Sequence, residues 1–196
     1  MPRYYINLTI RNLISNKGYF IINLLGLTIG ITSFILIVLW IKAETSYDKF
    51  HKNANNIYRV DYILYEEGIL EKHSASGSTG VGKEIKNMFP EVEDYTRFYR
   101  TEGIVKYEDK TFKERNILFA QSSFFNLFSF QLLMGKADSN LLALNHAVIT
   151  EVTAQKYFGD ENPMGKMIKL DGAIDFEVTG IVKSIPANSH IKFDIL

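Results

Sequence analysis

Between residues 19 and 41 the chain carries 23 residues without a charge, YFIINLLGLTIGITSFILIVLWI. At ~1.5 Å per residue such a helix is roughly 35 Å long, enough to cross a hydrocarbon core of about 30 Å with modest tilt. Polar residues return at Lys42, and from there the pattern breaks into short segments. Residues 43–47 are expected to prolong the helix as a stalk. Residues 57–65 alternate, with Tyr58, Val60, Tyr62 and Leu64 on one face of a strand. Glu67-Gly68 signals a turn, and Leu70 opens a weaker partner strand. Residues 81–89 place Val81, Ile85, Met88 and Phe89 on one side of a helix that Pro90 stops. Residues 95–100, 104–107 and 112–120 read as three strands. Phe124, Leu127 and Phe128 mark a short helical turn whose phenylalanines belong to a core.

The final third has the clearest periodicity. Residues 147–150 form a short apolar strand, after which Thr150 can cap a helix that Glu151 opens favourably for the dipole. Ala154, Tyr157 and Phe158 make its inner face, and Gly159 suits its end. Met167–Leu170 and Ile174–Val182 flank Asp171-Gly172, a hairpin signal. Strands interleaved with short helices predict an α+β body. The expected organisation is a cytoplasmic amphipathic lead-in helix over residues 1–18, a transmembrane helix over 19–42, and an extracytoplasmic mixed α/β domain over 43–196.

Charge sets the expected orientation. The chain has 196 residues with 22 bases and 22 acids, yet residues 1–42 hold Arg3, Arg11, Lys17 and Lys42 and no acid. Basic residues before the span and a mixed set after it place the amino terminus in the cytoplasm by the positive-inside bias. The uncharged run is too long for a cleaved signal peptide, and Ile41-Lys42-Ala43-Glu44 makes a poor cleavage site. Gly26 and Gly30 form a G-x-x-x-G face, with Ser33 nearby, on which another helix can pack closely. Asn23 is a polar residue within the span and would seek a partner. The bases are not clustered on the folded body, which excludes a nucleic-acid footprint. Without cysteine there are no disulfides or thiolate metal sites.

GSTGVGKE, residues 77–84, copies the spacing of a phosphate-binding loop, but Glu84 stands where a hydroxyl must ligate magnesium. The segment before it is polar rather than an apolar strand, so it reads as a loop leading into a helix. His51, His73, His146 and His190 show no metal-ligand spacing and are expected in solvated or capping roles. No G-x-S-x-G elbow lifts a serine for attack. Glu91, Glu93 and Asp94 read as a solvated surface. No catalytic, cofactor or metal site is expected.

Several stretches together resemble one family, the permease subunits of ABC transporters related to MacB and FtsX. Asn23, Gly26, Leu27 and Gly30 are similar to the N-x-x-G-L-x-x-G pattern of its first span, and RNLISNKGYF to its basic lead-in. SYDKFHKNANNIYRV resembles a YDxFH…IYR segment, through Asp48, Phe50 and His51. SSFFNLFSFQLLMGK is similar to an FF-x-x-F-x-F-x-x-x-x-G stretch. VITEVTAQKYFGDENPMGKMIKLDG resembles an A-x-x-x-F-G-x-x-x-P-x-G signature, through Ala154, Phe158, Gly159, Pro163 and Gly165. FEVTGIVKSIPANSHIKFDIL is similar to the family's ending, through Gly180, Pro186 and His190. Five motifs in order are specific where each alone is not, and they read as structural positions.

The resemblance implies an extracytoplasmic domain of the MacB periplasmic core type. It implies a non-enzymatic permease in the inner membrane, with amino terminus cytoplasmic and body periplasmic. ATP would be hydrolysed by a separate cytoplasmic subunit, and movement passed to the external domain for export or mechanotransmission. The implied partners are that ATP-binding subunit, a second permease copy or paralogue, membrane lipid, and an envelope or outer-membrane protein. Family permeases have at least four spans, so one span implies a fragment or truncated product. A single-pass envelope-facing binding or scaffold protein is the alternative, and a tethered envelope hydrolase a third that lacks a catalytic set.

Overall fold

A computed structural model describes residues 11, 15–75, 77–136 and 144–196. The chain divides into two units, residues 1–47 and 48–196. The expected lead-in helix lies almost wholly outside the described residues.

The first unit is dominated by helix α1, Lys17–Glu44. It is long and apolar enough to cross a membrane, and none of its residues is buried within the chain. The Thr28 hydroxyl donates to the Leu24 carbonyl (2.7 Å), so this polar group is satisfied inside the helix. The helix stops at Glu44 rather than continuing as a stalk. The Thr45 and Ser46 hydroxyls bond the terminal carbonyls of Ile41 and Ala43 (2.8 and 2.7 Å), and the chain tightens into turns.

The second unit opens with a single 3₁₀ turn, Ala54–Asn56, and a separate two-stranded sheet of β1 (Tyr62–Glu66) and β2 (Ile69–Ser74). The alternation from residue 57 does not make a strand before Tyr62, because pairing ends at Tyr62 opposite Ser74 and a strand needs a neighbour. Ile57 instead packs against the phenylalanine core. Helix α2, Val81–Met88, follows, and Gly82 is overlain by the Tyr95 ring. The phosphate-loop-like stretch is therefore a helix entry whose glycine makes room for an aromatic ring.

The main sheet contains β3 (Phe98–Tyr107), β4 (Lys110–Ala120), β5 (Leu132–Met134), β6 (His146–Thr150), β7 (Met167–Leu170) and β8 (Ile174–Val182). Its order is β4-β3-β7-β8-β5, with β6 parallel to β8. The two strands expected at 95–100 and 104–107 are one, because β4 pairs along the whole of β3 through a bulge near Gly103. Short helices α3 (Phe124–Leu127) and α4 (Glu151–Phe158) pack on the sheet. Thr150 caps α4 as expected, its hydroxyl accepting the Thr153 N–H (3.2 Å).

Neighbouring residues of the central strands serve two cores. Ile117, Ile149 and Ile181 join Ala154, Tyr157 and Phe158 of α4. Leu118, Val148 and Val182 join Phe124, Phe128, Phe130 and Phe193. Strands covered on both faces read as continuous apolar runs, as VIT and GIV do here. Residues 194–196 lie between β4 and β6: Leu118 N–H donates to the Ile195 carbonyl (2.8 Å), and Val148 and Leu196 exchange two hydrogen bonds (2.7 and 2.8 Å).

Candidate functional site

Four residues past the end of α1, the chain turns at Asp48, whose φ is +55°. Asp tolerates this left-handed conformation better than most residues. The Asp48 N–H donates to the Asn188 carbonyl (2.9 Å). Its carboxylate accepts the His190 N–H on Oδ1 (3.0 Å) and meets the His190 ring nitrogen Nδ1 on Oδ2 (2.6 Å). Partial burial pushes the carboxyl up. The backbone and ring hydrogen bonds from His190, with the electrostatic pull of His190 and His51, outweigh it and hold Asp48 below the ordinary carboxylate value.

Three residues on, His51 is buried. Its Nδ1 accepts the Ser129 N–H (3.0 Å), and the Lys52 N–H donates to the Ser129 hydroxyl (3.0 Å). The ring sits among Phe50, Phe128 and Phe130, with centroids 4.0, 5.2 and 5.2 Å away. Burial lowers its pKa from the ordinary histidine value, and the Asp48 carboxylate opposes this only in part. The sequence suggests a solvated or capping role for all four histidines; His51 instead lies in the core, accepting a backbone N–H.

The partner loop is built from the motif at the other end of the chain. The buried Ser189 donates its N–H to the Pro186 carbonyl (3.2 Å) and its hydroxyl to the Ile191 carbonyl (2.9 Å). The Lys192 ammonium donates to the carbonyls of Pro186 and Ala187. The fold thus brings Asp48, Phe50 and His51 together with Pro186 and His190, and adds the α3–Phe130 turn. Two motifs separated by about 140 positions form one joint at the start of the second unit.

The remaining motif residues lie elsewhere. Phe158 is buried against Tyr107, with ring centroids 4.5 Å apart. Gly159 ends α4 at φ +61° and Gly165 turns at φ +77°, conformations that side chains disfavour. Pro163 is buried between them, its carbonyl accepting the Lys166 N–H (3.2 Å). Gly180 lies in β8, opposite Val148 of β6. Gly26 and Gly30 lie on α1 with open space where a Cβ would stand.

Sequence reading missed Ser129 and Glu114, and the bond from the Ile104 N–H to the Asp171 carboxylate. Ser129 sits within the phenylalanine-rich motif but is not one of its fixed letters. The Glu114 carboxylate is buried and accepts the Tyr157 hydroxyl and the Lys156 ammonium, each at 2.6 Å. An acid on the Phe112 face of a strand was the available signal. Among the described residues no cluster of three or more His, Asp or Glu side chains could hold a metal. The geometry assembled at Asp48 holds chain segments together; it presents no nucleophile with a base.

The chain belongs to the ABC transporter permeases that carry a MacB-like periplasmic core domain, with residues 20–195 matching that domain. It is 25% identical over 190 residues to the uncharacterized ABC transporter permease YvrN of Bacillus subtilis (strain 168), covering 91% of this chain and 46% of that protein. The chain therefore spans about half the length of this relative. Among solved structures it resembles a domain assigned to a permease protein of Porphyromonas gingivalis, at TM-score 0.54 and 30% identity, covering 61% of this chain and 51% of that one. It also resembles the periplasmic region of MacB from Actinobacillus actinomycetemcomitans, at TM-score 0.45 and 22% identity, covering 52% and 48%. The mixed α/β body expected from the sequence is the architecture found.

Proposed function

We propose that this chain belongs to a membrane permease subunit that couples ATP hydrolysis by a cytoplasmic partner to movement of an extracytoplasmic domain. The single observation that carries this reading is a MacB-like core domain match over residues 20–195 that takes in most of an unburied apolar helix of 28 residues. The chain itself does no bond chemistry; a separate subunit binds ATP. Four bases and no acids before residue 43 support a cytoplasmic amino terminus and a periplasmic body. The joint at Asp48 fastens the start of the second unit to the loop over residues 186–192. A lipoprotein, peptide, drug or envelope enzyme is the class of molecule acted upon, and a second permease copy or paralogue completes the membrane part.

Topology is tested by fusing a reporter after Val60: activity only on the outer side is expected, and activity in the cytoplasm refutes the orientation. In the same strain, close packing of α1 on a neighbouring span predicts that Gly26→Leu and Gly30→Leu reduce recovery of the complex in a detergent pull-down. Unchanged recovery removes that role from the glycines.

A further inference from the structure

Neutral His51 must carry its proton on Nε2, because Nδ1 accepts the Ser129 N–H. That Nε2 is buried with no hydrogen-bond partner. A second proton can only go to Nδ1, where it would face the Ser129 N–H donor to donor. Protonation therefore breaks the bond to Ser129 and leaves a cation among three phenylalanines. We propose that His51 is a proton-operated latch: with a neutral ring it holds residues 48–57 against the turn that carries Ser129, and with a charged ring it lets that segment go. The latch lies at the entrance to the core domain, so its state sets how firmly the core is tied to the segment that follows α1.

The charged groups around the ring leave this sense intact. The turn over residues 124–130 brings no ionisable side chain. The loop over residues 186–192 brings His190, held on Asp48, and Lys192, held on two carbonyls. On the segment itself, Lys49 and Lys52 are exposed, and Asp48 is the one acid that favours the proton. Burial outweighs it, so the docked ring titrates below the released ring, whose value is about 6.5. The sign follows: docking has its full strength above about pH 6.5 and weakens as the pH falls below it. Asp48 titrates lower than its ordinary value of 3.8, so its bonds to His190 persist through that window.

The test is hydrogen exchange by mass spectrometry on the full chain in lipid nanodiscs at pH 7.5 and 5.0, each normalised to intrinsic rates. Peptides covering residues 48–57 and 127–131 should lose protection by roughly tenfold at the lower pH, the scale of one lost buried hydrogen bond, while β8 is unchanged. His51→Asn keeps an acceptor for Ser129 and has nothing to protonate, so its protection should not fall. Equal wild-type protection at both pH values overturns the latch, as does an equal fall in the variant. Histidine-labelled NMR of the unsubstituted chain tests the same coupling without a mutation. Charging of His51 should coincide with loss of Ser129 amide protection, and a charged ring beside a protected amide overturns the proposal.

Discussion

Glu114 shows what one buried carboxylate can organise. A single oxygen accepts from Tyr157 and from Lys156, and the Lys156 ammonium lies 4.4 Å from the centroid of the Phe112 ring. Burial, then the bond and charge of Glu114, push the Tyr157 hydroxyl well above its ordinary range. Glu114→Ala removes the acceptor from both partners, but Lys156 is about a third exposed and can turn to water. A loss of about 1–3 kcal/mol in unfolding free energy is expected, with Glu114→Gln costing less. Tyr157→Phe should cost about 1–2 kcal/mol near neutral pH. The folded state keeps this phenol neutral, so its contribution is whole below about pH 10 and fades as the unfolded phenol ionises above that. Urea titrations should therefore show a smaller cost for Tyr157→Phe at pH 11 than at pH 7; an equal cost would mean that burial and Glu114 together do not hold the proton on Tyr157.

At the level of elements, whatever depends on near neighbours was legible in the sequence. The Thr150 cap, the Glu67-Gly68 turn, the Pro90 stop and the Asp171-Gly172 hairpin each need only a few adjacent letters. Bulges and pairing limits are set by a distant strand, so local pattern does not reveal them. Around Gly103, two residues of β4, Arg115 and Asn116, stand opposite Glu102 alone, so Glu114 and Ile117 come to one face. The glycine that looked like a gap between two strands is a contact point. An added Cβ would stand 2.6 Å from Leu170 Cδ1 and 3.0 Å from an Asp171 carboxylate oxygen. Asp171 Oδ1 accepts the Ile104 N–H (2.7 Å), and the Asp171 N–H donates to the Ile104 carbonyl (2.8 Å). Gly103→Ala must push Leu170 aside and crowds the Asp171 carboxylate of this stitch between β3 and the β7–β8 hairpin, at about 1–3 kcal/mol. Faster amide exchange at Ile104 and Asp171 is the expected readout, and unchanged exchange would show that the hairpin gives way freely. The joint was legible only as two separate motifs, since nothing in SYDKFH or in IPANSH says that they meet.

Across the whole of the second unit, the sheet closes through a segment that no periodicity announced. Starting from β4, the path runs through β3, β7, β8 and β6, and residues 194–196 join β6 back to β4. Ile195 bridges both Ile117 and Ile149. Phe193, Ile195 and Leu196 are each buried, Ile195 in one core and Phe193 and Leu196 in the other. Burying a side chain of this size contributes about 1.5–3 kcal/mol, against a total stability of about 5–15 kcal/mol for a domain of ordinary size. Three such residues therefore carry a large share of the margin, and they do so by joining strands that are remote in the chain. Ile195→Ala should lower unfolding free energy by about 2–5 kcal/mol, whereas Leu144→Ala, at a side chain 94% exposed, should change it little. The loss should reach both cores, since the bridge holds β4 and β6 at the register that both faces share. Urea unfolding of the full chain in detergent checks it, followed by methyl NMR of Ile149 on the α4 side and of Leu118 and Val182 on the other. A variant that loosens only the α4 side, with Leu118 and Val182 unshifted, would show that the two cores are stabilised independently and that the closure is incidental.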